Sequence, residues 1–219
     1  MSEWDRCSSF VDPSRLVGRR CFGGLDLSTE KDLSAFVLVF PEDDYQVLPF
    51  FWLPFDNAEK RQRHDGVPYQ TWIERGHVEP TEGDYVSHRA IGDRIEELAD
   101  SYSIQAVAFD RAQASSVYER LAAYGVEMLK HPQTTGYMNG PFRDLLARLG
   151  NREIIVGENP CLRWMAQNVQ SYRDSNDRIR PDRAKSSEKI DGIVALLMAL
   201  SAAAEKSQEG MASFEVISA

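Results

Sequence analysis

The stretch GLDLS, residues 24–28, decides the fold, because a single aspartate ends a strand that otherwise looks buried. It follows the apolar pair Cys21 and Phe22 and precedes a second apolar run, SAFVLVF, at residues 34–40. A carboxylate beside a hydrophobic core is costly unless it is paired, hydrogen-bonded or bound to a metal. The rest of the chain must therefore supply the partners of Asp26.

The composition is that of a globular protein. The chain has 219 residues, of which 42% are hydrophobic, enough for a sizeable core. Its three cysteines are widely spaced and contain no CxxC pair, so they predict neither a disulfide framework nor a zinc site, and they fit a reducing cytosol. No apolar run approaches the roughly 20 residues of a membrane span, and the N-terminus does not resemble a signal peptide. These features predict a soluble protein that is not secreted.

The charge distribution limits the kind of DNA-binding surface that is possible. A net charge of −9 argues against a nucleic-acid-binding surface over the whole protein, because phosphate contacts require clustered lysines and arginines. A local basic groove stays possible. Basic residues concentrate toward the C-terminal half, at Arg173, Arg178, Arg180, Arg183, Lys185 and Lys189. The same stretch contains aspartates, so a solvated loop is an equally good interpretation.

Three apolar runs around GLDLS predict a small antiparallel meander. They cover residues 20–27, 34–40 and 45–53. Residues 55–87 are broken by glycine and proline and predict an insertion packed on the sheet. From Ser87 the apolar period becomes helical, and the next run, SIQAVAFD, predicts a buried strand that again ends in an aspartate, Asp110.

Helices and strands alternate after Asp110. The predicted order begins with a helix at 114–124, a strand at 126–130, a helix at 141–149 capped by Gly150, and a strand at 153–157. A helix opening at Asn159 and Pro160 follows, then a hairpin turning near Ser175 and Asn176, and a last helix at 187–205. This order predicts the α/β class, with a central mixed sheet flanked by helices. In such sheets reactive groups collect at the carboxyl ends of parallel strands, where Asp26 and Asp110 stand.

A third carboxylate belongs to the last helix. Asp191 stands near the start of KIDGIVALLMALSAAA, and Ala195 one turn later is small enough for this helix to approach the sheet closely. Three aspartates so placed would repel one another without a cation, and Mg²⁺ or Mn²⁺ suits oxygen ligands. Two such ions can activate water and stabilise the leaving oxygen of a phosphodiester. The set predicts metal-assisted phosphodiester hydrolysis, although each aspartate alone is more typical of a turn or a helix cap.

The sequence resembles the C-terminal nuclease domain of the large terminase subunit of tailed double-stranded DNA bacteriophages, in the HK97-like group. The resemblance covers most of residues 20–205, and the order and spacing of its segments make it specific. The segments are GLDLS with Asp26, GHVEPTEGDYV, VAFDR with Asp110 and Arg111, NPCLRWMAQNV with Asn168, and KSSEKIDGIVALLMAL with Lys185 and Asp191.

The resemblance implies an RNase H-like fold and a metal-dependent endonuclease that cuts concatemeric viral DNA during genome packaging. It places Asp26, Asp110 and Asp191 at the family's three acidic positions, where they would hold Mg²⁺ or Mn²⁺, expected as two ions. Contacts to DNA or to a phosphate are expected from Arg111, Arg180, Arg183 and Lys185, with an ordinary surface role equally open. The expected partners are double-stranded DNA, an ATPase motor domain, the small terminase subunit and the portal, without a membrane. The expected location is the host bacterial cytoplasm, at the procapsid.

The predicted boundaries follow from the same resemblance. A complete large terminase carries an ATPase motor, and this chain has no GxxxxGK[ST] phosphate-binding loop, so we expect a domain separated from its motor. Residues 1–19 are polar and aperiodic and are expected to be a linker remnant or a disordered tail. Residues 20–206 are expected to form the nuclease domain, and residues 207–219 a flexible tail.

Three alternatives stay open at the level of sequence. One is another RNase H-like nuclease, such as a junction resolvase, which would share the carboxylates but require branched DNA. The second is an actin-like ATP-binding protein, whose aspartate lies in a DxGT loop; here the loop reads DLST and lacks the glycine that lets backbone amides cradle phosphate. The third is a non-catalytic packaging scaffold, which metal-dependent DNA cleavage would exclude.

Overall fold

Strand β1 (Arg20–Asp26), which contains most of GLDLS, occupies an inner position in a six-stranded sheet. The computed structural model describes residues 2–28, 32–110 and 115–217 of the chain, with side chains from 2–28, 32–110 and 117–207. The other strands of this sheet are β2 (Ser34–Phe40), β3 (Gln46–Pro54), β4 (Glu79–Thr81), β5 (Ser103–Phe109) and β6 (Glu127–Lys130). A separate hairpin is formed by β7 (Ser171–Arg173) and β8 (Ile179–Pro181).

The sheet is mixed, as the sequence predicted. Its strand order is β4-β3-β2-β1-β5-β6. Strand β2 is antiparallel to both of its neighbours, β1 and β3, and the remaining neighbouring pairs are parallel. All strands of the sheet except β2 therefore point in the same direction, and their carboxyl ends meet at one edge.

Helices cover both faces of the sheet. They are α1 (Glu3–Arg6), α2 (Ala58–Asp65), α3 (Tyr69–Glu74), α4 (His88–Ser101), α5 (Ser115–Ala123), α6 (Thr135–Asn151), α7 (Pro160–Asn168) and α8 (Asp191–Ile217), with 3₁₀ turns at Pro13–Leu16 and Phe55–Asn57. No helix in the described part of the chain combines the length and the apolar character that a membrane crossing requires.

The sequence SAFVLVF of β2 shows how the two faces are built. Because side chains alternate along a strand, Ala35, Val37 and Val39 pack on the face covered by α6, α7 and α8. Phe36, Leu38 and Phe40 pack on the other face with α4 and α5. Every residue of β2 is buried, as is typical of a strand inside a sheet covered on both faces.

Gly24 lets α8 lie directly against β1. A Cβ atom at this position would be only 1.9 Å from the carbonyl oxygen of Ala195 and 2.6 Å from the backbone nitrogen of Ala199. The close approach predicted from the small side chain of Ala195 is thus confirmed, and it requires a glycine on the strand as well. This contact fixes the start of α8 relative to the end of β1.

The N-terminal segment is not a disordered tail. Helix α1 begins with a capping box at Ser2, and the side chains of Trp4 and Leu16 are buried. Val156 donates a backbone hydrogen bond to the carbonyl of Cys7 at 3.1 Å, which ties the segment to the body of the domain. The prediction of a disordered tail over residues 1–19 was wrong for the described residues, because Trp4, Cys7, Val11 and Leu16 are buried through distant contacts and show no local period.

Two helix boundaries and one strand also differ from the prediction. Helix α6 begins at Thr135 and has Pro141 inside it, and it ends with Arg152 in the left-handed region at φ 62° rather than with a cap at Gly150. The expected strand at 153–157 is reduced to one isolated bridge between Ile155 and Gln46. Because proline is typical of the first helical position, the start of α6 was predicted at Pro141, which is too late.

Of the remaining C-terminal elements, α7 and the hairpin follow the prediction closely, whereas the last helix differs from the predicted bounds of 187–205. Asn159 caps α7 by accepting hydrogen bonds from two backbone amides, and Pro160 is the first helical residue. The predicted hairpin is present as β7 and β8, with its turn between Asp174 and Arg178. Helix α8 begins at Asp191, and its backbone is helical to Ile217, through most of the segment expected to be a flexible tail.

Candidate active site

The carboxyl ends of β1 and β5 lie side by side, because the two strands are parallel neighbours. Asp26 is the last residue of β1, and Asp110 directly follows the last residue of β5. Two carboxylates that are far apart in sequence therefore stand at the same edge of the sheet.

Both aspartates line a cavity of about 370 Å³ at this edge. Asp191 lines the same cavity, since α8 begins at this residue and packs across β1. The structure thus brings together the three aspartates that the sequence singled out. The other lining residues are Leu27, Ser28, Asp32, Leu33, Gln133 and Arg183.

Arg183 bridges two of the three carboxylates. Its guanidinium donates one hydrogen bond to Oδ2 of Asp26 and another, of 2.7 Å, to Oδ1 of Asp191. Its Nε donates to Oε1 of Gln133 at 3.1 Å, and Nε2 of Gln133 donates to Oδ1 of Asp26 at 3.2 Å. One arginine, together with one glutamine, therefore holds the end of β1 to the start of α8.

The electrostatics of Asp26 follow from its burial. Only 6% of its surface is exposed, whereas Asp110 and Asp191 are half-buried. Burial raises the pKa of the Asp26 carboxyl to about 7, against the lowering effect of the Arg183 charge and with a further contribution from the Asp191 charge. Burial by itself would lower the pKa of Arg183, but the charges of Asp26 and Asp191 outweigh it and raise that pKa. The cavity therefore favours positive charge beside Asp26.

Gln133 and Asp32 belong to the cavity although the sequence analysis did not select them. Gln133 lies in the loop after β6, the strand beside β5, so it follows a parallel strand as Asp110 does. That shared position is the signal that could have identified it. Asp32 lies in the loop before β2 and contacts two cations, Nζ of Lys189 and, at 3.4 Å, a guanidinium nitrogen of Arg61.

The residues expected to contact DNA have different positions. Arg183 lies in the cavity, and the guanidinium of Arg180 lies over the ring of Tyr172, 4.8 Å from its centroid. Lys185 is exposed, with its Nζ 3.9 Å from Oδ2 of Asp182. Arg111 lies outside the described residues.

Asn168, at the end of α7, supports the loop that leads into α8. Its Nδ2 donates to the backbone carbonyl of Lys189 at 3.0 Å, and its Oδ1 accepts a hydrogen bond of 3.4 Å from Ser187. The asparagine in the NPCLRWMAQNV segment therefore has a positioning role, since it fixes the residues just before Asp191.

The donor set of the cavity fits a hard divalent cation. Carboxylate oxygens of Asp26, Asp110 and Asp191 are the ligands that Mg²⁺ and Mn²⁺ prefer, and a guanidinium already occupies the space between two of them. A different group, His64, Asp65 and Glu188, has potential ligand atoms within 4.8 Å of one another. Asp65 there already accepts hydrogen bonds, 2.8 Å long, from the Tyr69 hydroxyl and the His64 ring.

A mixed sheet with one antiparallel strand, helices on both faces and carboxylates at the end of its inner strands defines the RNase H-like class of nucleases. The chain belongs to the family described as terminase large subunit, endonuclease domain, whose model matches residues 1–207. This membership confirms the resemblance seen in the sequence and argues against the actin-like alternative.

Two curated relatives are similar to this chain over most of its length. The large terminase subunit of Enterobacteria phage HK97 is 31% identical over 92% of this chain and 40% of its own length. The protein YmfN of Escherichia coli is 26% identical over 90% of this chain and 46% of its own length. The chain thus spans less than half the length of these relatives.

Solved structures agree as well. The crystal structure of the HK97 large terminase has a TM-score of 0.83 at 28% identity and covers 92% of this chain and 43% of that one. The large terminase nuclease of the thermophilic phage G20c, solved with bound magnesium, has a TM-score of 0.60 at 15% identity. This match covers 91% of this chain and 95% of that one. These matches confirm the predicted RNase H-like fold.

Proposed function

We propose that this chain is the divalent-metal-dependent endodeoxyribonuclease of a large terminase and cuts concatemeric double-stranded viral DNA during genome packaging. The observation that carries the proposal is the convergence of Asp26, Asp110 and Asp191 on one cavity at the carboxyl edge of the sheet. The family membership and the nuclease of phage G20c, solved with magnesium, support the same chemistry.

The three aspartates would hold the metal, and the elements around them fix their geometry. The contact of Gly24 with Ala195 sets the distance between β1 and α8, and Gln133 orients the Asp26 carboxylate through its amide. One or two bound Mg²⁺ or Mn²⁺ ions would supply an activated water and stabilise the charge on the leaving oxygen. Asp26 itself is buried, so its charge is screened by water less than that of an exposed carboxylate.

Larger assemblies are part of the same proposal. As a domain of a large terminase, the chain would work with an ATPase motor domain, the small terminase subunit and the portal, in the host cytoplasm at the procapsid. Double-stranded DNA would be the substrate, as the sequence analysis expected.

The test is a plasmid cleavage assay. Supercoiled plasmid should be nicked and linearised with Mg²⁺ or Mn²⁺ and left intact in EDTA. The variants Asp26→Asn, Asp110→Asn and Asp191→Asn should each lose at least about two orders of magnitude in rate, since each removes a charge that balances the cation in the transition state. Asp144→Asn is the matched control, because the Asp144 carboxylate pairs with Arg148 on the surface of α6.

Two results would contradict the proposal. Cleavage that persists in EDTA would remove the metal from the mechanism, and full activity in all three site variants would move the active site elsewhere. Cleavage of branched DNA without cleavage of linear duplex would favour a junction resolvase instead.

A further inference from the structure

Arg183 competes with a metal ion for the same carboxylate oxygens. Its guanidinium donates to Oδ2 of Asp26 and, at 2.7 Å, to Oδ1 of Asp191. A divalent cation held by these two aspartates needs lone pairs of the same carboxylates. A guanidinium nitrogen and a metal ion placed side by side on these oxygens would also repel each other. The observed position of Arg183 therefore disfavours a metal ion held between these two carboxylates.

The surroundings of Arg183 allow it to leave this position. Its side chain is 44% exposed, so the carboxylate cluster does not enclose it completely. A second cavity, of about 240 Å³, also has Arg183 and Gln133 in its wall and extends toward Arg180 and Asp182. The side chain can thus turn out of the carboxylate cluster without displacing a helix or a strand.

We propose that Arg183 is an internal counter-ion that keeps the metal-free site closed, and that a divalent cation binds by displacing it. The proposal rests on the metal-dependent function proposed above. Without metal, the guanidinium neutralises two carboxylates that would otherwise repel each other next to the core. Once displaced, the same positive charge stays at the mouth of the cavity, where it can pair with a DNA phosphate.

The variant Arg183→Gln removes the competing cation and keeps a polar side chain. Its dissociation constant for Mn²⁺, measured by titration calorimetry without DNA, should be lower than that of the wild type by roughly tenfold or more, because the two charged hydrogen bonds of Arg183 no longer have to be broken. The metal-free variant should melt at a lower temperature, because Asp26 and Asp191 then repel each other. Mn²⁺ should raise its melting temperature more than that of the wild type.

Arg180→Gln is the control for long-range electrostatics. Arg180 lies three residues away in the same segment, and its guanidinium contacts the Pro181 carbonyl and the Tyr172 ring. This variant loses the same charge and leaves the bridge between the carboxylates intact. Its affinity for Mn²⁺ should stay close to that of the wild type. An equal gain in both variants would overturn the proposal, because net charge alone would then explain the result.

A second measurement uses the wild type and does not depend on the glutamine variant folding. In protein with ¹⁵N-labelled arginine, the Nε–Hε signal of Arg183 can be assigned by its absence from Arg183→Lys. It should shift on titration with Mg²⁺, since its hydrogen bond to Gln133 breaks when the side chain moves. A signal that does not move at saturating Mg²⁺ would overturn the proposal.

The outcomes separate this inference from the function on which it rests. If the wild type binds Mn²⁺ and Arg183→Gln binds it no tighter, the inference alone is wrong. If the wild type binds no Mn²⁺, the metal-dependent function is wrong and the inference falls with it. Tighter binding in Arg183→Gln only, together with a shifting Arg183 signal in the wild type, establishes the counter-ion role.

Discussion

Asp26 combines burial with charge, and the metal-free chain tolerates it only because several neighbours compensate. The carboxylate accepts hydrogen bonds from Arg183 and Gln133, yet burial still raises its pKa to about 7. A residue whose ionised form is destabilised in the fold reduces the stability of the native state at neutral pH. Such a cost at a single position is typical of a functional site and unusual for a purely structural residue.

We expect Asp26→Asn to change how stability depends on pH in metal-free buffer. The pKa of Asp26 is about 7 in the folded chain, against an ordinary value of 3.8. Between these values the folded chain keeps a proton that the unfolded chain has released. The contribution of Asp26 is therefore most favourable at low pH, and it is lost as pH rises through this window, by up to about 4 kcal/mol. The asparagine variant lacks this titration.

The measurement is the free energy of unfolding by urea in EDTA, for both proteins, at several pH values across that window. The stability of Asp26→Asn relative to the wild type should rise steadily with pH. A difference between Asp26→Asn and the wild type that stays constant with pH would show that Asp26 titrates normally.

At the scale of elements, the packing of α8 on β1 controls the geometry of the site. Asp26 and Asp191 are at the ends of these two elements, and the backbone of the helix touches the strand at Gly24. Any increase in the separation of the two backbones would move the carboxylates apart. Glycine at this position is therefore required for the geometry of the active site as well as for the packing of the core.

Gly24→Ala should destabilise the domain strongly. The new methyl group would meet the Ala195 carbonyl at 1.9 Å, and backbone atoms cannot move aside as a flexible side chain can. We expect a loss of at least about 3 kcal/mol in the free energy of unfolding, together with loss of cleavage. Gly150→Ala is the control, because nothing lies within 4 Å of a Cβ at this helical position. It should be neutral or stabilise α6 by about 0.5–1 kcal/mol.

Chemical denaturation of both variants measures these effects. Equal stabilities of Gly24→Ala and the wild type would mean that α8 can move away from β1. A clear loss in Gly150→Ala would restore the sequence-based interpretation of Gly150 as a left-handed cap.

Elements with a strong local signal could be predicted from the sequence. The apolar strand β2, the amphipathic helix α4 and the Asn159 cap of α7 all depend on neighbours in the chain, and each was predicted within a few residues. Helix α6 was not predicted in full, because Gly140 and Pro141 are typical of a helix start and tertiary packing of Met138 overrides them. Residues 153–157 are apolar enough to predict a strand, but in the fold they form only a single β-bridge, between Ile155 and Gln46.

The site could be predicted in part, for a similar reason. Asp26 and Asp110 stand at strand ends, a position that the sequence pattern shows directly. The place of Arg183 between Asp26 and Asp191 depends on how the loop after β8 folds back over the sheet, and no local pattern encodes it. The sequence alone predicted a possible DNA contact for this arginine, whereas in the structure it pairs with two of the carboxylates.

At the scale of the whole molecule, charge is distributed unevenly. The chain carries a net charge of −9, yet Arg61, Arg183 and Lys189 pair with carboxylates that line the cavity. These cations are paired with carboxylates, so few are available to phosphates in the metal-free state. The full relatives are more than twice as long as this chain.

We therefore expect the chain alone to bind duplex DNA weakly in EDTA, with an affinity that falls steeply as salt increases, because a few phosphate contacts would supply nearly all of the binding energy. Arg180→Glu should weaken binding and reduce the slope of log K against log salt by about 1 if Arg180 contacts a phosphate.

Arg19→Glu is the matched control, since Arg19 precedes β1 at the opposite edge of the sheet and pairs with Asp43. Fluorescence anisotropy with a labelled duplex at several salt concentrations measures both quantities. Equal slopes for the two variants would place Arg180 on the solvated surface, and tight binding at high salt would show that DNA recognition by this chain does not depend on phosphate charge.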